Sequence, residues 1–356
     1  YPTTLVFAER PAHNPRATFV HPRGEYLQRG DAVTAEIPSL FDPLDPAAPR
    51  DRLTFARWLV DPQNPLVGRV TMNRQWAILF GRGIVSTTED FGYQGQRPTH
   101  PALLDWLAVE LVNRGWSLKQ MHRLIVTSAT YRQSSRTTPE LLNKDPENRL
   151  LARAPRVRFD AEMVRDAVLK ASGLLSSKLG GPSVFPPQPP GITSEGAYGP
   201  LEWKVSTGED RYRRGLYTFA KRTAPYAMFN TFDAPSGEAC VARRDESNTP
   251  LQALTLLNDE VFVETAQALG DQLARQSGTV EDRVTSLFRR CLARPPSEAE
   301  RALLTEFHQH QLDRLTNKEI DAAVVAAVGG DDAIARAGWT LTARAVLNLD
   351  EMITKE

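Results

Sequence analysis

Residues 99–128 read THPALLDWLAVELVNRGWSLKQMHRLIVTS, and two helices can be parsed from them together with their punctuation. Thr99 ahead of Pro101 opens the first, because proline at a first helical turn wastes no hydrogen bond and arrives with its φ preset. Leu103, Leu104, Leu107 and Leu111 then fall on one face, an apolar stripe that requires a partner. Gly115 ends that helix. Ser117 with Gln120 forms the pattern of a capping box, and Leu118, Met121, Leu124 and Ile125 continue at helical spacing.

The same grammar extends in both directions. Upstream, Asn64-Pro65 predicts a helix through Trp76 and Phe80 that stops near Gly81 and Gly83, so three helices with short connections should pack as neighbours. Downstream, Asp160 is expected to cap a helix through Met163, Val164, Ala167, Val168, Ala171 and Leu174 that ends at Gly180-Gly181. Thr249-Pro250 opens a run through Leu251, Leu254, Leu257, Val261 and Phe262, and the pattern recurs over Val280 to Leu292. Ser297 with Glu300 is a second capping box, followed by Leu303, Leu304 and Phe307, and a last helix is expected over Trp339 to Ile353.

Two regions break the helical period. Residues 180–203 hold Pro182, Pro186, Pro187, Pro189, Pro190 and Pro200, which predicts a long surface loop. Residues 1–48 carry short β-branched and aromatic runs, Thr4 to Phe7 and Ala17 to Val20, between prolines, as an extended arm with short strands would. Arg214 to Phe219 reads as a further strand. The fold class is mainly α: a multi-helix domain with short β-strands and a long Pro/Gly-rich loop. The expected organisation is an arm over 1–48, a helical subdomain over 49–179, the loop and short strands over 180–246, and a helical subdomain over 247–356 that joins 49–179 in one compact unit.

Composition narrows the function classes. The 356 residues balance 43 basic against 43 acidic groups, so the net positive field on which generic phosphate-backbone binding relies is absent and nucleic acid is not an expected partner. The basic residues are 35 arginines and 8 lysines, which favours bidentate recognition of carboxylate, sulfate or phosphate as well as structural ion pairs. No run approaches the length of an apolar membrane span, and Tyr1 in place of methionine suggests a processed or truncated chain. Two cysteines, Cys240 and Cys291, supply neither a zinc cluster nor a disulfide framework; one disulfide is conceivable, but Cys291 shares an apolar helical face and is expected as a buried free thiol.

Motifs for haem attachment, nucleotide phosphates, zincin metal sites and the nucleophile elbow are missing from the sequence. No cofactor and no metal is therefore expected in this chain. His308 and His310 lie two apart and would point to opposite sides of a helix, so they are expected as solvated residues and not as a metal pair.

Polar residues converge in two places. Around the first helices stand Arg69, Asn73, Arg74 and Trp76, then His122, Tyr131 and Arg132; they suggest a ligand-binding cleft, or an arginine ladder pairing with Glu89, Asp90, Asp105 or Glu110. The second group comprises Lys221, Arg222, Asp233, Arg243, Arg244 and Glu246, in connecting segments where binding sites tend to lie. Asp233, His122 and Glu246 are the candidates for a catalytic acid or base, with Asp233 and Glu246 as a candidate carboxylate pair. Tyr198, Trp203 and Tyr212 could stack on sugar rings or pack the proline-rich loop onto the domain.

The runs NPLVGRVTMNRQWAILFGRGIVSTTEDFG from Asn64, GWSLKQMHRLIVTSATYRQSS from Gly115, GLYTFAKRTAP from Gly215, TFDAPSGEACVARRDESNTPLQALTLLND from Thr231 and ARAVLNLDEMITKE from Ala343 carry a resemblance. Together they resemble the planctomycete-specific C-terminal domain of unknown function (domain of unknown function 1553) found in cytochrome-c-fused planctomycete proteins. The likeness covers essentially the whole chain; it departs at Asp245-Glu246-Ser247, acidic where similar proteins look basic.

The resemblance implies an extracytoplasmic (periplasmic or cell-surface) multidomain protein, with haem c carried elsewhere in the parent polypeptide and an upstream cytochrome-c-like domain and second planctomycete domain as partners. It brings no reaction and no catalytic residue. The expected function is a noncatalytic binding or assembly module with polysaccharide as a further partner. The alternative is an extracytoplasmic hydrolase acting on polysaccharide, or a redox-linked partner of the haem domain.

Overall fold

The computed structural model describes residues 3–11, 13–14, 16–192 and 202–355, which fall into two compact units. Unit 1 takes residues 1–78 and 82–128, and unit 2 takes 79–81 and 129–356. The fold is mainly α: helices dominate and the strands are two residues long.

In unit 1 the arm contributes β1 (Thr18–Phe19), paired antiparallel with β2 (Ala32–Val33), Thr18 opposite Val33. The other expected strand, Thr4 to Phe7, has no ladder partner; Leu5 and Phe7 stand in solvent. Helix α1 (Arg52–Leu59) starts where Asp51 accepts from the Thr54 N–H at 2.8 Å, a cap that the apolar pattern alone did not reveal. Ahead of α2 (Val67–Phe80), the Asn64 side chain accepts from the backbone N–H groups of Leu66 and Val67, and the helix is followed by Gly81 at φ 74°. Helix α3 (Pro101–Asn113) has His100 at its N-cap position, one residue later than the expected Thr99. Its stripe buries Leu104, Leu107 and Leu111, while Gly68 of α2 approaches Ala108 so closely that an added Cβ would sit 3.2 Å from the Ala108 Cβ. Ser117 then caps α4 (Leu118–Val126), which buries Met121 and Ile125.

Unit 2 opens with α5 (Pro139–Lys144), capped by Thr138, and β3 (Val157–Arg158). Helix α6 (Ala161–Ser172) places Ala161, Val164 and Val168 in the main core. It ends earlier than expected: Gly173 adopts φ 78° and closes it, seven residues before Gly180, because a left-handed C-cap needs a residue without a Cβ. Asp160 occupies its N-cap position, yet its side chain makes no cap bond.

The expected strand over Arg214 to Phe219 is a 3-10 turn at Gly215–Tyr217, joined to the preceding chain by isolated bridges from Ser176 to Arg213 and Val184 to Thr218. The described part of the proline-rich segment is a loop whose residues 180–183 and 189–192 are exposed, while Val184, Pro186 and Pro187 are buried and fasten it to the unit. Helix α7 (Ala227–Thr231) follows. The run from Thr249 proves to be two helices, α8 (Pro250–Asn258) and α9 (Glu260–Arg275), since Asp259 takes an extended conformation and caps the second through the Val261 N–H.

Next come α10 (Val280–Leu292) and α11 (Glu298–Thr316), the latter with the reciprocal Ser297/Glu300 box, then α12 (Ala322–Ala326) and α13 (Ala333–Leu347). The final helix therefore begins six residues before Trp339 and ends at Leu347, with a 3-10 turn over Asp350–Met352. Gly270 lets α9 cross α13 at backbone distance; a Cβ there would lie 2.2 Å from Thr340 Oγ1. The chain ends in β4 (Thr354–Lys355), antiparallel to β3 with Val157 opposite Lys355.

His308 departs from its expectation. It is buried, its ring stacks on Trp339 at 3.9 Å, and its Nδ1 lies 3.0 Å from Thr342 Oγ1, whereas His310 is exposed. Both cysteines are free: Cys240 is exposed, and burial pushes the Cys291 thiol up to about 12.

Candidate functional site

In unit 1 the first polar group is largely consumed by the fold. Asn73 is fully buried, its Oδ1 accepts from the Val85 N–H at 2.8 Å and its Nδ2 donates to the Val85 carbonyl at 2.9 Å. The amide thus replaces a strand partner for a buried loop residue, and Gly83 is needed beside it because a Cβ would fall 2.6 Å from Asn73 Nδ2. Trp76 lies in the core, and Arg69 donates to Asp105 at 2.7 Å and to the Pro65 carbonyl. Of the ladder carboxylates, Asp105 takes Arg69 and Glu110 takes Arg114. His122 donates from Nε2 to Gln75 Oε1 at 2.6 Å, and Arg74 is exposed. Tyr131 and Arg132 belong to unit 2, where Tyr131 meets the edge of Phe80 and lies under Lys355 Nζ at 3.9 Å, and Arg132 is exposed.

The second polar group surrounds a pocket. Within unit 2 a cavity of ≈ 510 Å³ lies between α6, the Gly215 turn, α7 and the segment that follows α7. That volume falls in the range of roughly 300–1,000 Å³ common to small-ligand sites. Glu162 and Asp166 stand four apart on α6 and so share the face opposite the Val164–Val168 stripe. Gly215 packs directly on that helix, since a Cβ would meet the Glu162 Cβ at 2.8 Å, and its N–H donates to Asp166 Oδ1 at 2.6 Å.

Each carboxylate of the pocket is held by an arginine. Arg214 donates to Asp166 at 2.9 Å, and Arg244 grips Glu162 through both terminal nitrogens at 2.6 and 3.1 Å, with Asp160 3.8 Å from its Nε. Burial pushes the Glu162 carboxyl up, but the Arg244 hydrogen bonds outweigh it and leave the group below its ordinary value. Lys221 and Arg222 line the same pocket and have no ion-pair partner among the described residues. Phe219, Tyr226 and Phe229 supply apolar wall; Tyr226 is buried and donates its hydroxyl to the Pro187 carbonyl at 3.2 Å.

Asp233 lies just beyond the pocket in a left-handed conformation, φ 60°, which aspartate tolerates. Its carboxylate accepts the Ser247 N–H at 2.8 Å and the Ser247 hydroxyl at 2.7 Å, and Gln252 Nε2 at 3.3 Å. Gln252, itself buried, also donates to the Thr231 carbonyl and accepts from Arg158. Glu246 and Arg243 are exposed. Trp203 donates to the Pro186 carbonyl and stacks parallel to Tyr226, so it packs the loop; Tyr198 lies outside the described residues.

Sequence reading thus found Lys221, Arg222 and Arg244 at the pocket but passed over Glu162, Asp166 and Arg214 as site residues. The signal was available: Glu162 and Asp166 repeat at helical spacing on the polar face of a helix whose apolar face had been read. Among the described residues, no three His, Cys, Asp or Glu side chains gather as a metal ion would require, and no helix is long and apolar enough to cross a membrane.

No curated protein and no solved structure matches the chain. Residues 51–308 match the sequence profile of the family described as "Protein of unknown function (DUF1553)". Because that match takes in α1 through the first half of α11, including the whole pocket, the chain belongs to the DUF1553 family.

Proposed function

We propose that the chain is a noncatalytic binding and assembly module of an extracytoplasmic, cytochrome-c-containing polypeptide, and that its unit 2 pocket receives an acidic group of a glycan. The observation that carries this reading is the division of charge in the pocket. The acidic side chains there lie against Arg214 or Arg244, while Lys221 and Arg222 are uncommitted and open to a ligand anion. The aromatic and apolar wall supplies the face on which a sugar ring could rest.

A hydrolase draws less support. It would need one carboxyl kept protonated near neutral pH, yet Glu162 is shifted the other way, and Asp259, pushed up to about 6 by burial, caps α9 outside the pocket. Asp233 spends its carboxylate on Ser247 and Gln252, and His122 belongs to unit 1. Placement beside an upstream cytochrome-c-like domain and a second planctomycete domain rests on the family resemblance.

Isothermal calorimetry on the chain with oligogalacturonate, sulfated oligosaccharide and neutral cello-oligosaccharide tests the reading. Binding of an acidic glycan that Lys221→Ala with Arg222→Ala weakens by a factor of about 30 supports it. Equal binding of the neutral sugar, no binding of either acidic glycan, or product release in the same mixtures would each overturn it.

A further inference from the structure

The segment between Asp233 and Thr249 leaves the pocket and returns to it. Ala234, Pro235, Ser236 and Gly237 line one side, and Arg244 reaches the other side at Glu162. The six residues between, Glu238 to Arg243, are not part of the pocket lining and are all exposed. Their one hydrogen bond among the described residues runs from the Glu238 N–H to Ser236 Oγ at 3.3 Å. Both ends, by contrast, are fastened: Asp233 to Ser247 at the base, and Arg244 to Glu162 at the far rim. Gly237, at φ 77°, supplies a joint against the Arg222 stem, where a Cβ would come within 3.3 Å of Arg222 Cγ.

The tip is also the wrong composition for a permanently solvated loop. Glu238-Ala239-Cys240-Val241-Ala242-Arg243 presents Val241 at 57% exposure, and the pocket presents two apolar residues with no cover, Leu216 at 70% and Met163 at 49%. Apolar surface left open on a segment anchored at the pocket's rim and on the pocket itself is stabilised when the two meet.

We infer that Glu238–Arg243 is a strap that folds over the occupied pocket, buries Val241 against Leu216 and Met163, and delivers Arg243 as a third cation to the bound anion. Resting on the anionic reading of the pocket, the inference turns Arg243 into a specificity-determining residue even though it is not part of the pocket lining in the open chain. Asp233 and Ser247 are positioning residues that fix where the strap begins and ends.

Cys240 sits at the middle of the strap and reports on it directly. Its thiol is exposed, while Cys291 is shielded and holds its proton, so a disulfide reagent added to the native chain reads Cys240. With oligogalacturonate at ten times its dissociation constant, only about one tenth of the chain stays open, and Cys240 modification should slow by about tenfold. Val241→Asp should bind the same probe through Lys221 and Arg222 and lose most of that protection. Arg243→Ala should weaken binding several-fold and leave the thiol's rate in the free chain unchanged.

Calorimetric binding with no change in Cys240 reactivity would overturn the strap and leave the anionic pocket standing. Absence of binding would remove both. Protection that survives in Val241→Asp would show that the ligand itself, and not the strap, shields the thiol, which also overturns the inference.

Discussion

Two arginine-rich clusters that look alike in sequence differ in what they leave unspent. Around α2, the donors and acceptors of Asn73, Arg69 and His122 go to Val85, Asp105, Pro65 and Gln75, all within unit 1. Around α6 the same kind of pairing consumes Arg214 and Arg244 and stops, leaving Lys221, Arg222 and Arg243 exposed or pocket-lining with no ion pair among the described residues. Polar density in a sequence therefore marks a site only after the internal pairs have been subtracted. In unit 1 that subtraction leaves the exposed Arg74; in unit 2 it leaves two cations lining a pocket.

The largest effect expected from this contrast is in unit 1. Asn73→Ala leaves the Val85 N–H and carbonyl buried without partners, a loss of about 3 kcal/mol measurable by urea unfolding. A change near zero would mean that the amide is not structural and would reopen the cleft as a binding site. In unit 2 the effect should move from stability to affinity: Lys221→Ala with Arg222→Ala should weaken acidic-glycan binding by a factor of about 30, roughly 2 kcal/mol, with the unfolding midpoint unmoved. If the midpoint falls with the affinity, those cations are structural too and the contrast fails.

Ser247→Ala probes the boundary between the two behaviours. It removes the hydroxyl from Asp233 and keeps the backbone bond, so a stability loss of about 1 kcal/mol is expected, together with weaker protection of Cys240 by the bound glycan.

A pair of opposed pH slopes is expected in the scaffold. Burial pushes Asp259 up to about 6, so its contribution to stability is complete below its unfolded value of about 4 and is lost as pH rises through 6. Burial pushes His308 down to about 4, so its contribution is complete above about 6.5 and is lost as pH falls toward 4. Relative to the parent chain, Asp259→Asn should gain melting temperature as pH rises from 4 to 6, and His308→Phe should gain as pH falls over the same window. A flat difference curve for either variant would show that the substituted group titrates as if exposed.

Much of this fold could be read from its caps. Ser297 with Glu300, Thr249 with Pro250 and the Val280–Leu292 run sit where the residues placed them, because each start signal is chemically complete within four residues. The missed helices had starts of the same kind, Asp51 for α1, Thr138-Pro139 for α5 and Asp321 for α12, but no long apolar stripe to draw attention to them. The misread strand has a different cause. Leu216, Tyr217 and Phe219 have β propensity, yet Gly215 must press against Glu162, and that tertiary contact curls the chain into a 3-10 turn.

His308 was likewise beyond a local reading, since its burial is set by the Trp339 face that α13 brings to it from thirty residues away. Of the pocket, the cations were legible as unusual clusters. Their freedom was not, because it depends on which carboxylates α6 delivers and which arginines claim them first.

The pairing of β3 with β4 carries a consequence for synthesis. Arg156 and Asp350, joined at 2.5 Å beside that ladder, are 194 residues apart, and Arg158 of β3 reaches Gln252, which braces both ends of the strap. As the chain leaves the ribosome, unit 1 has every residue it needs once Ser128 has emerged, while the brace beneath the strap waits for Lys355. The brace beneath the pocket therefore forms after unit 1, and until it does the α9–α13 crossing is a surface a chaperone would find.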